Sequence, residues 1–362
     1  MDITFCPCKN EKRRNVNCFP DDMVFCCKND SNKYEYSNDT DNLGITYLHC
    51  SNKKNCDKNR DNKICITKIG TLNYGSKCHK HDDAHVNNVC HINGNRILVC
   101  GSETKYPLWS YCLDKNGCVT SEPQFWNIFL NKDLSYVGKL FNGYAVIPKK
   151  CFEILYFTED SCDHKKIKFD HCSNISEKLI KVIMDYDCIA HCSKRKNYKL
   201  VGFFVRCNQV YFAVQLTCKK KQKVRKLYIL RSSFNCEKLS FCDDVSFLAS
   251  YNIYKLSRSN DISSQEASKM RITGLSYKNN EIFIMTSSGS RGYLWRTEIP
   301  LNPPCKSKYC DSELDFISRK KKLHFNKNPR GVTHISNGEL LVICDHAECN
   351  KKHENNYYIV NI

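Results

Sequence analysis

VCHINGNRILVCGS, from Val89 to Ser102, and VTHISNGELLVICDH, from Val332 to His346, are two copies of one pattern set far apart in the chain. Each runs through Val, His, Ile, an Asn-Gly pair and an apolar stretch that carries a cysteine. Asn-Gly between apolar runs is hairpin chemistry, because type I′ turns need positive φ at two successive residues and Asn and Gly adopt it at low cost. ITGLSYKNNEIFIMTSS from Ile272 is a third copy, with Asn279-Asn280 at the turn. Weaker copies are YAVIPKKCFEILYFTED from Tyr144 and VGFFVRCNQVYFAVQL from Val201.

Starts at residues 89, 144, 201, 272 and 332 give a period of about 60 residues, and GITYLHC (Gly44 to Cys50) leaves room for one more unit ahead of them. A unit of several strands, too short to be a domain of its own, is a propeller blade: a four-stranded sheet packed face to face with its neighbours around an axis. LWSYCL, KLYIL, GYLWRTEI and NYYIVNI read as the strands that close the blades. The expectation is an all-β β-propeller of about six blades of four antiparallel strands, one domain over residues 1–362. Helical periodicity is confined to ISEKLIKVIMD (Ile175 to Asp185), which also fits a strand.

Cysteine is abundant, at 26 of 362 residues, an even count in a chain too long to need staples for stability. Zinc would call for repeated CxxC pairs, and the spacings are irregular. Disulfides are therefore expected, with Cys78, Cys90, Cys100, Cys112, Cys188, Cys192, Cys236, Cys242, Cys305, Cys310, Cys344 and Cys349 as candidates. That places the protein outside the reducing cytosol, secreted or on a cell surface. The sequons at Asn29, Asn38 and Asn174 fit export. No apolar leader follows Met1, so export implies a signal peptide already removed; no run reaches the length of a membrane span.

The formal charge of +18 makes acidic partners electrostatically favourable. Its densest runs contain Lys219, Lys220, Lys221, Lys223, Arg225 and Lys226, and then Arg319, Lys320, Lys321 and Lys322. These are the candidate binding residues. Nucleic acid is disfavoured, because the 20 tyrosines and 18 phenylalanines fall largely inside the apolar strands, where sheet packing accounts for them. His79, His81, His85 and His91 with Asp82 and Asp83 have metal-ligand chemistry, but Lys80 to Asn88 reads as a polar loop and no metal is expected. No GxSxG elbow or phosphate-binding glycine loop is present, and neither catalytic residues nor a cofactor are assigned.

SGSRGYLW, from Ser288 to Trp295, keeps the spacing of the Asp-box, SxDxGxxW, with Ser290 in place of Asp. With the repeat and the cysteines, the chain resembles the disulfide-rich six-bladed propellers of the sialidase-like type, which include viral attachment proteins and parasite surface antigens that use the scaffold for binding. A hydrolase of that type would need three convergent arginines, a Tyr/Glu pair, an Asp acid and an Arg-Ile-Pro motif. Here VIP (Val146 to Pro148) lacks the arginine, which argues against hydrolysis and leaves Arg206, Arg271, Arg291 and Arg330 as arginines for a pocket. A second similarity is to the sema domain of semaphorins and plexins, through Cys78, Lys80, Cys90, Ile92, Val99, Cys100, Gly101 and Cys112, with Ser102 in place of Thr. It implies a seven-bladed, receptor-binding propeller. Both likenesses lead to one expectation: non-enzymatic recognition of a protein receptor or an acidic glycan through loops at one end of the propeller.

Overall fold

The computed structural model describes residues 65–72, 85–102, 106–126, 128, 130, 132–161, 163–171, 174–187, 197–217, 225–289, 291–299, 315–316, 323–324, 328–335, 338–345 and 355–361. They form a β-propeller of five antiparallel sheets. With strands numbered in chain order, β1 (Cys65–Leu72) stands ahead of the first blade. Blade 1 is β2 (His85–His91), β3 (Arg96–Ser102), β4 (Leu108–Cys112) and the short β5 (Gln124–Phe125). Blade 2 is β6 (Leu134–Leu140), β7 (Gly143–Pro148), β8 (Ile154–Phe157) and β9 (Lys165–Ile167).

Helix α1 (Ile175–Tyr186) leads to blade 3, which holds β10 (Tyr198–Arg206), β11 (Gln209–Thr217) and β12 (Arg225–Asn235), with β13 (Ser240–Phe241) and β14 (Ser246–Asn252) both pairing β12. Two short helices, α2 (Ile253–Ser259) and α3 (Ser264–Lys269), follow. Blade 4 is β15 (Arg271–Lys278), β16 (Glu281–Ser288) and β17 (Arg291–Glu298), with β18 (Asp315–Phe316) and β19 (Leu323–His324) on β17. Blade 5 is β20 (Asn328–His334), β21 (Leu340–Asp345) and β22 (Asn355–Asn361), completed by β1, which pairs β22.

The described residues form five blades, close to the expected number of about six, where a sema domain would have seven. The strand just ahead of blade 1 is spent on finishing blade 5, so it does not begin a sheet of its own. Gly44 to Cys50, the extra unit expected there, lies outside the described residues. The strands read as blade-closing are the third of each sheet, and the fourth strands are mostly two or three residues long. Blade 2 begins one strand earlier than Tyr144, at Leu134.

The first strands β2, β6, β10, β15 and β20 stand side by side in a closed ring around the axis. Apolar clusters fill the spaces between successive blades. One joins blades 1 and 2 through Leu98, Cys100, Val146 and Phe157. Another joins blades 4 and 5 through Phe283, Leu294, Val342 and Tyr358, a third joins blade 5 to blade 1 through Ile343, Tyr357 and Trp109, and the largest runs through blades 2, 3 and 4. Strands covered on both faces need continuous apolar runs rather than alternation, which is why β7, β11 and β21 read as they do. The hairpin reading holds at Asn279 and Asn280, which take φ of 50° and 73° between β15 and β16, whereas at Asn93-Gly94 only the glycine is positive, at 68°.

Cys90 and Cys100 were disulfide candidates and are instead free thiols inside the cluster between blades 1 and 2. A buried thiol packs as a small apolar group, and burial pushes the Cys90 pKa up to about 12 and raises Cys100 as well. Cys242 is also a free thiol, half-buried, whereas Cys118 carries a disulfide. Cys112 and Cys344 are buried in the strands. Cys78, Cys188, Cys192, Cys305, Cys310 and Cys349 lie outside the described residues. Asn174 precedes α1, and its side-chain oxygen accepts from Ser176 Oγ at 2.8 Å; Asn29 and Asn38 lie outside the described residues.

Two predictions follow from this packing. A Cβ at Gly331 would sit 2.8 Å from Val89 N and 2.9 Å from Asn88 Cα, whereas one at Gly94 meets nothing within 4 Å. Gly331→Ala is expected to cost about 2 to 3 kcal/mol in urea unfolding, and Gly94→Ala, which bears only the φ penalty, about 1 kcal/mol. Cys90 and Cys100 are expected to resist alkylation in the native protein and to react in denaturant without reductant, read by peptide mass spectrometry.

Candidate functional site

Each first strand slips register once near its leading end, at Asn87, Ser135, Val201, Thr273 and Arg330. A bulge bends its strand and re-aims the side chains beside it. Immediately after the slip come Asn88, Tyr136, Gly202, Gly274 and Gly331. Gly274 and Gly331 let neighbouring first strands approach backbone to backbone, as at Gly274 beside Val332 N. The leading ends are thereby drawn together at one mouth of the axis.

Every blade brings a basic residue to this mouth: His85 at the start of β2, Lys149 after β7, Lys199 on β10, Arg271 at the start of β15 and Arg330 on β20. Buried Asp345, at the end of β21, accepts from Arg330 Nη2 at 3.1 Å and from His85 Nδ1 at 3.1 and 3.2 Å. One carboxylate thus serves two bases from blades 5 and 1. Lys149 lies 3.9 Å from Asp133 and 3.5 Å from Ser102 Oγ, while Asn87 Nδ2 donates to Ser102 Oγ at 3.0 Å and to Leu134 O at 2.7 Å. Among the described residues no carboxylate pairs with Lys199 or Arg271.

Partial desolvation, then Arg271, Lys149 and Arg330, hold the Lys199 ammonium below the ordinary lysine pKa, although its side chain opens to solvent. Burial and Arg271 do the same to Arg225, whose Nη1 donates to Met270 O. Lys149, Arg271 and Arg330, from three other blades, thus act on Lys199 through their charge, and the four cations carry more positive charge than the acids beside them neutralise.

The opposite mouth is of another kind. Lys139 Nζ donates to Asn93 Oδ1 at 3.2 Å, His91 Nε2 bonds Gly94 O at 2.9 Å, and Ser276 Oγ meets His334 Nδ1 at 2.7 Å while accepting from His334 N at 3.0 Å. Burial, Lys278 and His91 pull the His334 pKa down to about 4, so its imidazole is neutral at physiological pH. These groups are bonded to local turns and strands.

Of the residues singled out from charge density, Lys219, Lys220, Lys221, Lys223, Arg319, Lys320, Lys321 and Lys322 lie outside the described residues. Lys226 is buried, not displayed: its Nζ donates to Asp187 Oδ2 at 2.8 Å, and Tyr228 OH donates to the same oxygen at 2.9 Å. Arg225 stands near the mouth. Arg271 and Arg330 lie in it; Arg291 pairs with Glu266 at 3.0 Å on the β16–β17 hairpin side of blade 4, and Arg206 lies beside Tyr277 at the other end. His85 and Asn88, read as loop, belong to β2. His79, His81, Asp82 and Asp83 are outside the described residues, and among the described ones no three metal-ligating side chains gather. No described helix is long and apolar enough to cross a membrane.

Lys199, Lys149 and Asp345 were missed. A signal existed: KLVG (Lys199 to Gly202) and RITG (Arg271 to Gly274) each set a base three residues ahead of the glycine, where HVNN sets His85 ahead of Asn88.

No protein-family model and no curated protein matches the chain. Among solved structures it is similar to a thermostable family-43 glycoside hydrolase, at 11% identity and a TM-score of 0.41 over 79% of this chain and 92% of that one. It is also similar to an exo-β-1,3-galactanase from Clostridium thermocellum, at 10% identity and 0.43 over 82% and 63%. The WD40 β-propeller domain of Doa1 matches at 11% identity and 0.33 over 86% and 90%.

Removing one of the crowded cations relieves repulsion. Lys199→Gln is expected to stabilise the fold by a few tenths to about 1 kcal/mol at low ionic strength, with the gain fading in high salt. A depressed lysine pKa means the unfolded chain holds this proton more tightly. The residue's contribution is therefore most favourable above the ordinary lysine pKa and is lost as pH falls through the folded value. Urea unfolding at two salt concentrations and across alkaline pH checks both statements.

Proposed function

We propose that this propeller is a non-enzymatic recognition module, secreted or surface-exposed, which binds an acidic glycan at the mouth ringed by Lys149, Lys199, Arg271 and Arg330. The observation that carries the reading is the surplus of positive charge there, with Lys199 and Arg271 paired to no carboxylate among the described residues. The blade faces are consumed in packing, so the ends of the axis and their loops are the surfaces left for a ligand. Charge gathered from four blades around one point suits a projecting anionic group better than a broad, flat epitope. Long-range attraction from the +18 chain adds to the rate of encounter.

The test is binding of the whole protein to immobilised acidic oligosaccharides, sulfated and carboxylated, beside neutral ones of equal length. Binding is expected only to the acidic set, with affinity falling steeply with salt, and Lys199→Glu with Arg271→Glu is expected to abolish it. Equal binding to neutral glycans, or binding that survives the double charge reversal, overturns the proposal. Release of sugar from the acidic set would instead make the protein a hydrolase.

A further inference from the structure

We infer that the mouth is a seat for a single tetrahedral oxyanion, a phosphate or sulfate group, held among Lys149, Lys199, Arg271 and Arg330. The inference rests on the acidic-ligand reading above and names the chemistry of the group that enters. Three observations lead to it.

The donors come from four blades arranged around the axis, so they face the mouth from several sides. A planar carboxylate is best held side-on by one guanidinium in a two-bond fork, whereas here Arg330 gives Asp345 a single bond from Nη2 and His85 supplies the rest. A tetrahedral group presents acceptors in every direction and can use ammonium and guanidinium donors from all sides at once.

The charge also fits. Four permanent cations face Asp345, which is shared with His85, and Asp133, which stands 3.9 Å from Lys149, longer than a hydrogen bond. About two positive charges are left over, and a phosphate monoester carries about −1.5 to −2 at neutral pH. Finally, the site holds a polar hydrogen in reserve: the Nε of Arg330 is buried with no hydrogen-bond partner, as is that of Arg225 beside the mouth. Buried N–H groups without an acceptor are costly, and an anion in the mouth supplies acceptors. The depressed Lys199 pKa is the electrostatic counterpart, since a bound dianion would restore it.

The experiment is isothermal titration of the whole protein with sodium phosphate, sodium sulfate and sodium acetate at constant ionic strength. It is run beside a sulfated tetrasaccharide and its desulfated counterpart, which separate free anion from glycan ester as the source. Phosphate and sulfate are expected to bind one per chain, with acetate about tenfold weaker or worse. Lys199→Gln and Arg271→Gln should each weaken phosphate about tenfold, and Lys255→Gln, an exposed lysine on α2, should leave it unchanged. Carbon-13 resonances of reductively methylated Lys199 should show its pKa rising when phosphate is added, a change that a purely structural lysine would not show. Acetate binding as tightly as phosphate, indifference to both substitutions, or a Lys199 titration unmoved by phosphate overturns the seat. If acidic glycans bind but neither inorganic anion does, the seat fails and the recognition reading stands; if phosphate binds and no acidic glycan does, the reverse holds.

Discussion

Five strands pass side by side around one axis, and the distance at which their backbones may approach sets nearly everything else. At Gly274 and Gly331 the neighbouring main chain stands where a side chain would begin, and at Gly202 the rings and methyls of Tyr136 and Leu275 do. The register slip just before these positions turns each strand so that its leading residue leaves the sheet toward the axis. A wider ring would spread Lys149, Lys199, Arg271 and Arg330 beyond one another's field. Close approach of the strands therefore precedes the electrostatics of the mouth, and the repulsion borne by Lys199 is a consequence of main-chain geometry.

The hairpin repeat was legible because the residues at its turns have few alternatives. Asn279-Asn280 occupies backbone that most residues avoid, and the structure shows positive φ at both. Blade 2 was started late although an Asn-Gly pair, Asn142-Gly143, marks its first turn; there the positive φ, 52°, falls on Phe141 instead. The reader of the sequence sees the next hairpin instead and starts the blade at Tyr144. The described sheets number five because β1, CITKIGTL, completes the last sheet and carries no hairpin of its own.

The site was less legible than the fold. Charge density along the chain led to lysine runs, one of which ends in Lys226, folded inward onto Asp187. Charge gathers here because each of four successive blades brings one base to the same mouth; Lys199 and Arg271 do so from equivalent points, three residues ahead of a glycine, and Arg330 and Lys149 from others. The cysteines repeat the lesson: Cys90 and Cys100 sit in the first two strands of blade 1, and their neighbours in the sequence already described a dry interior.

Blade 5 is completed by β1 against β22, and its seam with blade 1 is joined by Val119 N donating to Tyr357 OH at 3.0 Å, by His91 N donating to Thr333 Oγ1 at 3.0 Å and by Asp345 between its two bases. Strand β1 is made early and its partner late, with four blades synthesised in between. On the ribosome β1 must wait with an unpaired edge, and the apolar faces of blade 1 have no cover on that side until the last strands emerge. Pairings so remote in sequence slow folding and lengthen the time in which exposed edges can find the wrong neighbour. The closure that makes the finished ring cooperative thus leaves the nascent chain dependent on protection from aggregation until the end of its synthesis.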